Sequence, residues 1–236
     1  MTRRCPSCGA ESSVLDLRCG SCGAYIRDRV PALNLFSTLW GIIESPETTF
    51  LRIARSEQKN YTFLLFALTG PVLVALVLAA ARVGDTDTPF SYVLLACVAA
   101  GPVFGLLAFV AATAALRSVF RVSTGARLRF RQTGAYAAFG ISPLLWTSVI
   151  VLPLQLGIFG VLLFSTNPPA WQTQPLPYWS FVGIDLLALL WSMVLLPRPF
   201  MLHGLSYGTA FTRTLVFWTV LAAFVLAGVF LFHAAI

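Results

Sequence analysis

Five stretches of this sequence are long and apolar enough to cross a bilayer, and they constrain the fold before any motif is considered. A helix needs about 20 apolar residues to cross a hydrocarbon core about 30 Å thick. Runs of that kind lie at residues 61–81, 90–116, 133–164, 178–197 and 213–235. Of the 236 residues only 11% are charged and 58% are hydrophobic, and the mean hydropathy is +0.81. A soluble domain spends roughly a quarter of its residues on charge, so a water-soluble globule is excluded. The expected fold is an all-α polytopic membrane protein. Its five-helix transmembrane bundle occupies 61–236, with a small cysteine-bearing module at 1–30 and amphipathic, interfacial linker helices at 31–60.

The third run is too long for one straight crossing. Pro143 and Pro153 lie inside it, which predicts a kink, a tilt or a short interfacial approach before the crossing. With no hydrophilic break to divide it, the run counts as one span.

The basic residues set the expected orientation. Fifteen of the sixteen Lys and Arg fall before span one, between spans two and three, or between spans four and five. Only Arg82 falls on the other side, beside Asp85 and Asp87, and the loop from Asn167 to Pro177 carries no charge. By the positive-inside rule the N-terminus is cytoplasmic and the C-terminus outside. Trp171, Tyr178 and Trp179 stand where an outer aromatic belt is expected. No secretory signal peptide opens the chain, so the N-terminal segment is expected to stay in place. The net charge of +7 reads as an orientation signal first, and no nucleic acid is expected as a partner.

Four of the five cysteines form an internal repeat: Cys5-Pro6-Ser7-Cys8-Gly9-Ala10 returns as Cys19-Gly20-Ser21-Cys22-Gly23-Ala24. Each Cys-x2-Cys pair can wrap a knuckle so that both thiolates face one ion, with Gly9 and Gly23 allowing the tight turn behind the second cysteine. Cys5, Cys8, Cys19 and Cys22 are therefore the expected metal ligands, holding structural Zn2+ in a closed tetrahedron. So small a segment has no adequate apolar core, and the metal would supply most of its folding free energy. Two disulfides are disfavoured by a cytosolic location, and an iron–sulfur site by the knuckle sequences.

Between module and bundle, Ser45-Pro46-Glu47 reads as an N-cap, a first-turn proline and a first-turn acid. In the helix this starts, Phe50, Ile53 and Ala54 share a face while Arg52, Arg55 and Lys59 supply positive charge. The favoured reading is an interfacial helix pair; the plainer one is a short helix packing on the loops of the bundle.

From Leu39 onward the chain resembles the Yip family of Ypt/Rab-interacting five-span membrane proteins and their prokaryotic relatives. The resemblance rests on Ile43-Glu44-Ser45-Pro46-Glu47-Thr48-Thr49-Phe50, on Phe130-Arg131-Gln132-Thr133 through Tyr136 to Ser142-Pro143-Leu144, and on Leu202-His203-Gly204-Leu205-Ser206 followed by Thr209-Ala210. An N-terminal zinc ribbon is also like that of some prokaryotic members. The resemblance implies a non-enzymatic membrane protein that binds partners or organises membranes. It does not import Rab binding, because the cysteine module replaces the eukaryotic partner-binding region.

Within the spans the obvious carboxylate is Asp185, about 10 Å inside the outer end of span four. An intramembrane acid is a candidate functional site, while hydrogen bonding across helices to Gln155, Thr147 or Ser148 is the structural reading. His203 and His233 fall on opposite sides of the membrane, and Cys97 reads as a small packing residue. Gly101, Pro102, Gly105, Ala96, Ala99 and Ala100 make span two rich in small residues, for close approach within the bundle or in a homo-oligomer. The first functional expectation is a scaffold or adapter in membrane organisation or trafficking-like processes, contacting membrane lipids and a membrane or cytosolic protein partner. The alternative is a permease, channel or lipid-moving protein using Asp185 and the proline-broken helices.

Overall fold

The computed structural model describes residues 2–5, 7–13, 19–24, 33–56, 59, 61–124 and 128–235. Five helices in it are long and apolar enough to cross a membrane: Thr62–Ala80, Phe90–Arg121, Ser142–Phe164, Pro175–Met201 and Tyr207–Ala234. This is a multi-pass membrane protein. Span one is the centre of the bundle, half of its most apolar window being buried, against 11% for span five.

The N-terminal module departs from an all-α expectation. Strands β1 (Thr2–Arg4) and β2 (Glu11–Ser13) pair antiparallel in the register Thr2↔Ser13, Arg3↔Ser12 and Arg4↔Glu11. The hairpin brackets the first cysteine knuckle, and its strands are too short to have a readable period. The boundary expected near residue 30 lies outside the described residues, as do Arg18, Arg27, Arg29 and Arg127.

Helices α1 (Leu35–Glu44) and α2 (Pro46–Arg55) follow. Asn34 caps α1 by accepting from the Ser37 amide at 3.3 Å. Ser45 ends α1 and precedes α2, but no side-chain cap bond forms there; instead the Thr48 hydroxyl donates back to the Ser45 hydroxyl at 2.9 Å. Pro46 opens α2 where its missing N–H costs nothing. The apolar face of α2 does not point to lipid: Phe50 and Ile53 are 1% and 0% exposed in the main core, with α2 against the helices Phe130–Gly140 and Arg198–Met201. For α2 this corrects the interfacial reading. The unpartnered face is that of α1, where Phe36, Trp40 and Ile43 are 77%, 67% and 52% exposed at helical spacing.

Span one is α3 (Thr62–Ala80), and span two runs through α4 (Phe90–Leu95), a π stretch (Ala96–Ala100) and α5 (Gly101–Thr124). The two helices touch backbone to backbone. A Cβ on Gly101 would lie 2.8 Å from the Pro71 Cα, and one on Gly105 would run into Gly70. The small-residue face of span two thus serves the internal bundle at Gly101 and Gly105, whereas Ala99 and Ala100 are exposed.

The run 133–164 is not one span. Helix α6 (Phe130–Gly140) is a separate element, buried from Thr133 onward, and the chain breaks at Ile141. The crossing begins at Ser142 and continues through α7 (Ser142–Trp146), a π stretch (Thr147–Val151), α8 (Leu152–Phe159) and a 3-10 turn (Gly160–Phe164). Pro143 starts a helix instead of kinking one. Pro102 and Pro153 are each accommodated by the same device: Gly101 donates to the Ala96 carbonyl and Leu152 to the Thr147 carbonyl, five residues back. Widening the turn before the proline relieves the clash of its ring with the preceding carbonyl.

Helix α9 (Ala170–Thr173) leads into α10 (Pro175–Leu195), which with α11 (Arg198–Met201) forms span four. Helix α12 (Tyr207–Ala235) is span five.

Candidate metal centre and intramembrane polar site

The two cysteine knuckles repeat in backbone as well as sequence. Cys5 N donates to Ala10 O at 2.9 Å and Gly9 N to Cys5 O at 2.9 Å; Cys19 N donates to Ala24 O at 2.8 Å and Gly23 N to Cys19 O at 2.9 Å. Gly9 and Gly23 take φ of 72° and 69°, a left-handed conformation that glycine adopts at least cost. The repeat brings all four sulfurs within 4.8 Å of one another. Cys5 and Cys22 sulfurs are 3.7 Å apart, and those of Cys8 and Cys19 are 3.6 Å apart. These separations exceed the roughly 2.05 Å of a disulfide, and no disulfide joins the four cysteines.

Cys5 and Cys19 are buried while Cys8 and Cys22 are exposed. Backbone amides of Ser7 and Cys8 hold the Cys5 thiol below its usual pKa. The Ala10 amide acts in the same sense on Cys8, but the neighbouring Cys22 and Cys19 sulfurs outweigh it and push that thiol up to about 12. Four thiolates cannot accumulate in so small a space without a cation among them. The cluster can hold a metal ion, and four protein sulfurs would leave no open coordination position.

Asp185 is half-buried on α10, where its Oδ2 accepts from Gln155 Nε2 at 2.7 Å. Gln155 is the partner among the three candidates: Thr147 donates to Leu144 O at 2.9 Å, and the buried Ser148 hydroxyl has no partner among the described residues. Asp185 lines two spaces, which share Val72, Leu76 and Val182 in their walls. One is a cavity of about 170 Å³ that Gln155, Phe159 and Tyr178 share. The other is a groove of about 770 Å³ with walls from α10 and α12, including Leu189, Met193, Trp218 and Val225, and with Val72 and Leu76 of α3 at its base.

Of the remaining singled-out residues, His203 and Cys97 sit apart from both sites. His203 Nε2 is 3.5 Å from the Tyr136 hydroxyl, which accepts from Gln132 Nε2 at 2.7 Å, and burial holds the His203 pKa below its usual value. Cys97 is buried in a second apolar cluster with Val74, Val93 and Leu152. Trp171 and Trp179 are exposed, and Tyr178 packs between Phe159 and Trp179.

One structural residue was missed in the sequence, where Asp85 counted only as loop charge. Its Oδ1 accepts from the Ser165 hydroxyl at 2.6 Å, from the Thr166 amide at 2.7 Å and from the Asn167 amide at 3.3 Å, while the Thr166 hydroxyl donates to Oδ2. These donors, the Ser165 hydroxyl foremost, lower its pKa to about 2. Asp85 ties the loop after span one to the loop after span three, and the donor run Ser165-Thr166-Asn167 was the readable half of that signal.

The fold and the cysteine cluster together define the class: a five-helix membrane protein with an N-terminal four-thiol site able to bind metal. Comparison with family models, with curated proteins and with solved structures finds no match to this chain.

Proposed function

We propose that this is a non-enzymatic membrane scaffold or adapter whose N-terminal module carries a structural zinc ion and meets a protein partner on the cytoplasmic side. The supporting observation is the closed four-sulfur cluster. Sulfurs about 2.3 Å from a central zinc stand about 3.8 Å apart, close to the 3.6 and 3.7 Å separations here. A metal so enclosed stabilises a surface and offers substrate no site. The positive-inside rule supports a cytoplasmic N-terminus; the Yip-like order of motifs, with a zinc ribbon like that of some prokaryotic members, is the sequence argument for the same class of function and for a prokaryotic inner membrane.

The test is metal analysis of the full chain combined with crosslinking in the membrane, comparing it with a Cys5→Ser/Cys8→Ser form that still inserts. One zinc per chain and a specific crosslinked partner are expected, both lost in the variant. Enrichment of no protein above an unrelated five-span control would sink the adapter reading. The groove beside Asp185 favours a second reading, a protein that binds or moves lipid, for which lipid exchange by Asp185→Asn is the decisive assay.

A further inference from the structure

Distant parts of the sequence meet at a cavity of about 490 Å³ lined by Arg55, Ser56, Lys59, Arg129, Arg131 and Gln132. Four of these are cations, and no carboxylate is among the described lining residues. Arg55 is at the last turn of α2, and Arg129 is the N-cap of α6, which has no side-chain cap bond. The positive end of the α6 dipole therefore adds to the same field. The Lys59 ammonium is fixed in place, donating to Ile53 O at 2.6 Å and Ser56 O at 3.0 Å. Arg117, by contrast, spends its Nε on the Leu128 carbonyl at 3.0 Å and belongs to the fold.

A concave surface with four cations accumulates repulsion that an anion relieves. Planar guanidinium groups match phosphate oxygens in particular. We propose that this pocket binds a phosphate monoester, with the headgroup of an anionic phospholipid as its source. The depth favours that source: Lys59 lies three positions before the start of span one at Thr62, where headgroups lie. The exposed Phe36, Trp40 and Ile43 face of α1, which leads directly into α2, supplies an apolar surface for the adjoining interface. Basic pockets at such positions are a recurring means of lipid-headgroup recognition. The inference is independent of the zinc-bound adapter reading.

The test places the full chain in phosphatidylcholine nanodiscs with and without phosphatidic acid and measures retained lipid by native mass spectrometry. A parallel arm titrates glycerol 3-phosphate, the same headgroup without the chains. Arg129→Gln/Arg131→Gln is expected to weaken phosphatidic acid binding by about thirtyfold, from roughly 1 kcal/mol for each basic residue. The control Arg52→Gln/Arg121→Gln, with two exposed arginines outside the pocket, is expected to retain it. If the double variant unfolds, the exposed Arg131→Glu decides instead. Equal loss in pocket and control variants would mean diffuse attraction and overturn the site, as would no preference of the native chain for phosphatidic acid. Equal competition by glycerol 3-phosphate would uphold the phosphate site and overturn the lipid as its source.

Discussion

Spans one and two meet along a closed seam, whereas spans four and five leave a groove between them, and the two places differ in the residues that line them. At the seam Gly70, Gly101 and Gly105 remove the side chains altogether, and the backbones come together. At the groove Leu186, Leu189, Met193, Leu215 and Trp218 line a space beside Asp185 that stays unfilled by protein. In a bilayer, lipid tails are as apolar as leucine, so helices gain mainly by close packing and hydrogen bonds. The seam therefore carries stability and the groove is available to a ligand.

The largest effect should come from breaking the seam. Gly105→Val forces atoms into the Gly70 backbone, which cannot rotate away as a flexible side chain can. Its cost should exceed the usual 1–3 kcal/mol of overpacking and appear as loss of folded protein in detergent unfolding. Next in size is the loop tie at the far end of span one. Because the Asp85 pKa is depressed to about 2, its contribution is fully present above the unfolded carboxylate value near 3.9. It is lost as pH falls toward about 2. Asp85→Asn should lower the melting temperature at neutral pH and flatten its dependence on pH in that acid window; unchanged acid dependence would place the stabilisation elsewhere. The smallest effect belongs to the Asp185 hydrogen bond. Gln155→Leu removes the one hydrogen bond to Asp185 described here and should cost roughly 0.5–2 kcal/mol, the range for interhelical bonds in membranes, measured by reversible unfolding in mixed micelles. A cost as large as that of Gly105→Val would make the groove wall part of the core.

Much of this was legible in order. The five apolar runs, the helix start at Pro46 and the paired cysteine knuckles are local patterns, each decided by residues within a few positions of one another. What was misjudged was long-range. The Phe50 and Ile53 stripe has the same appearance whether it faces lipid or protein, and it faces α6 and α11. The run 133–164 shows no hydrophilic break because α6 is buried inside protein, where its residues must be as apolar as those of a span.

The sequence by itself determined that the chain enters a membrane five times and that four thiols can converge, since hydropathy and knuckle spacing are properties of short segments. Only the tertiary structure decided that Gly105 faces Gly70, that Gln155 meets Asp185, that Asp85 joins two loops, and that Arg55 and Lys59 share a pocket with Arg129 and Arg131. Those pairings join residues up to about eighty positions apart, and their partners are selected by which helices pack together, a choice made by the summed shape of whole helix faces.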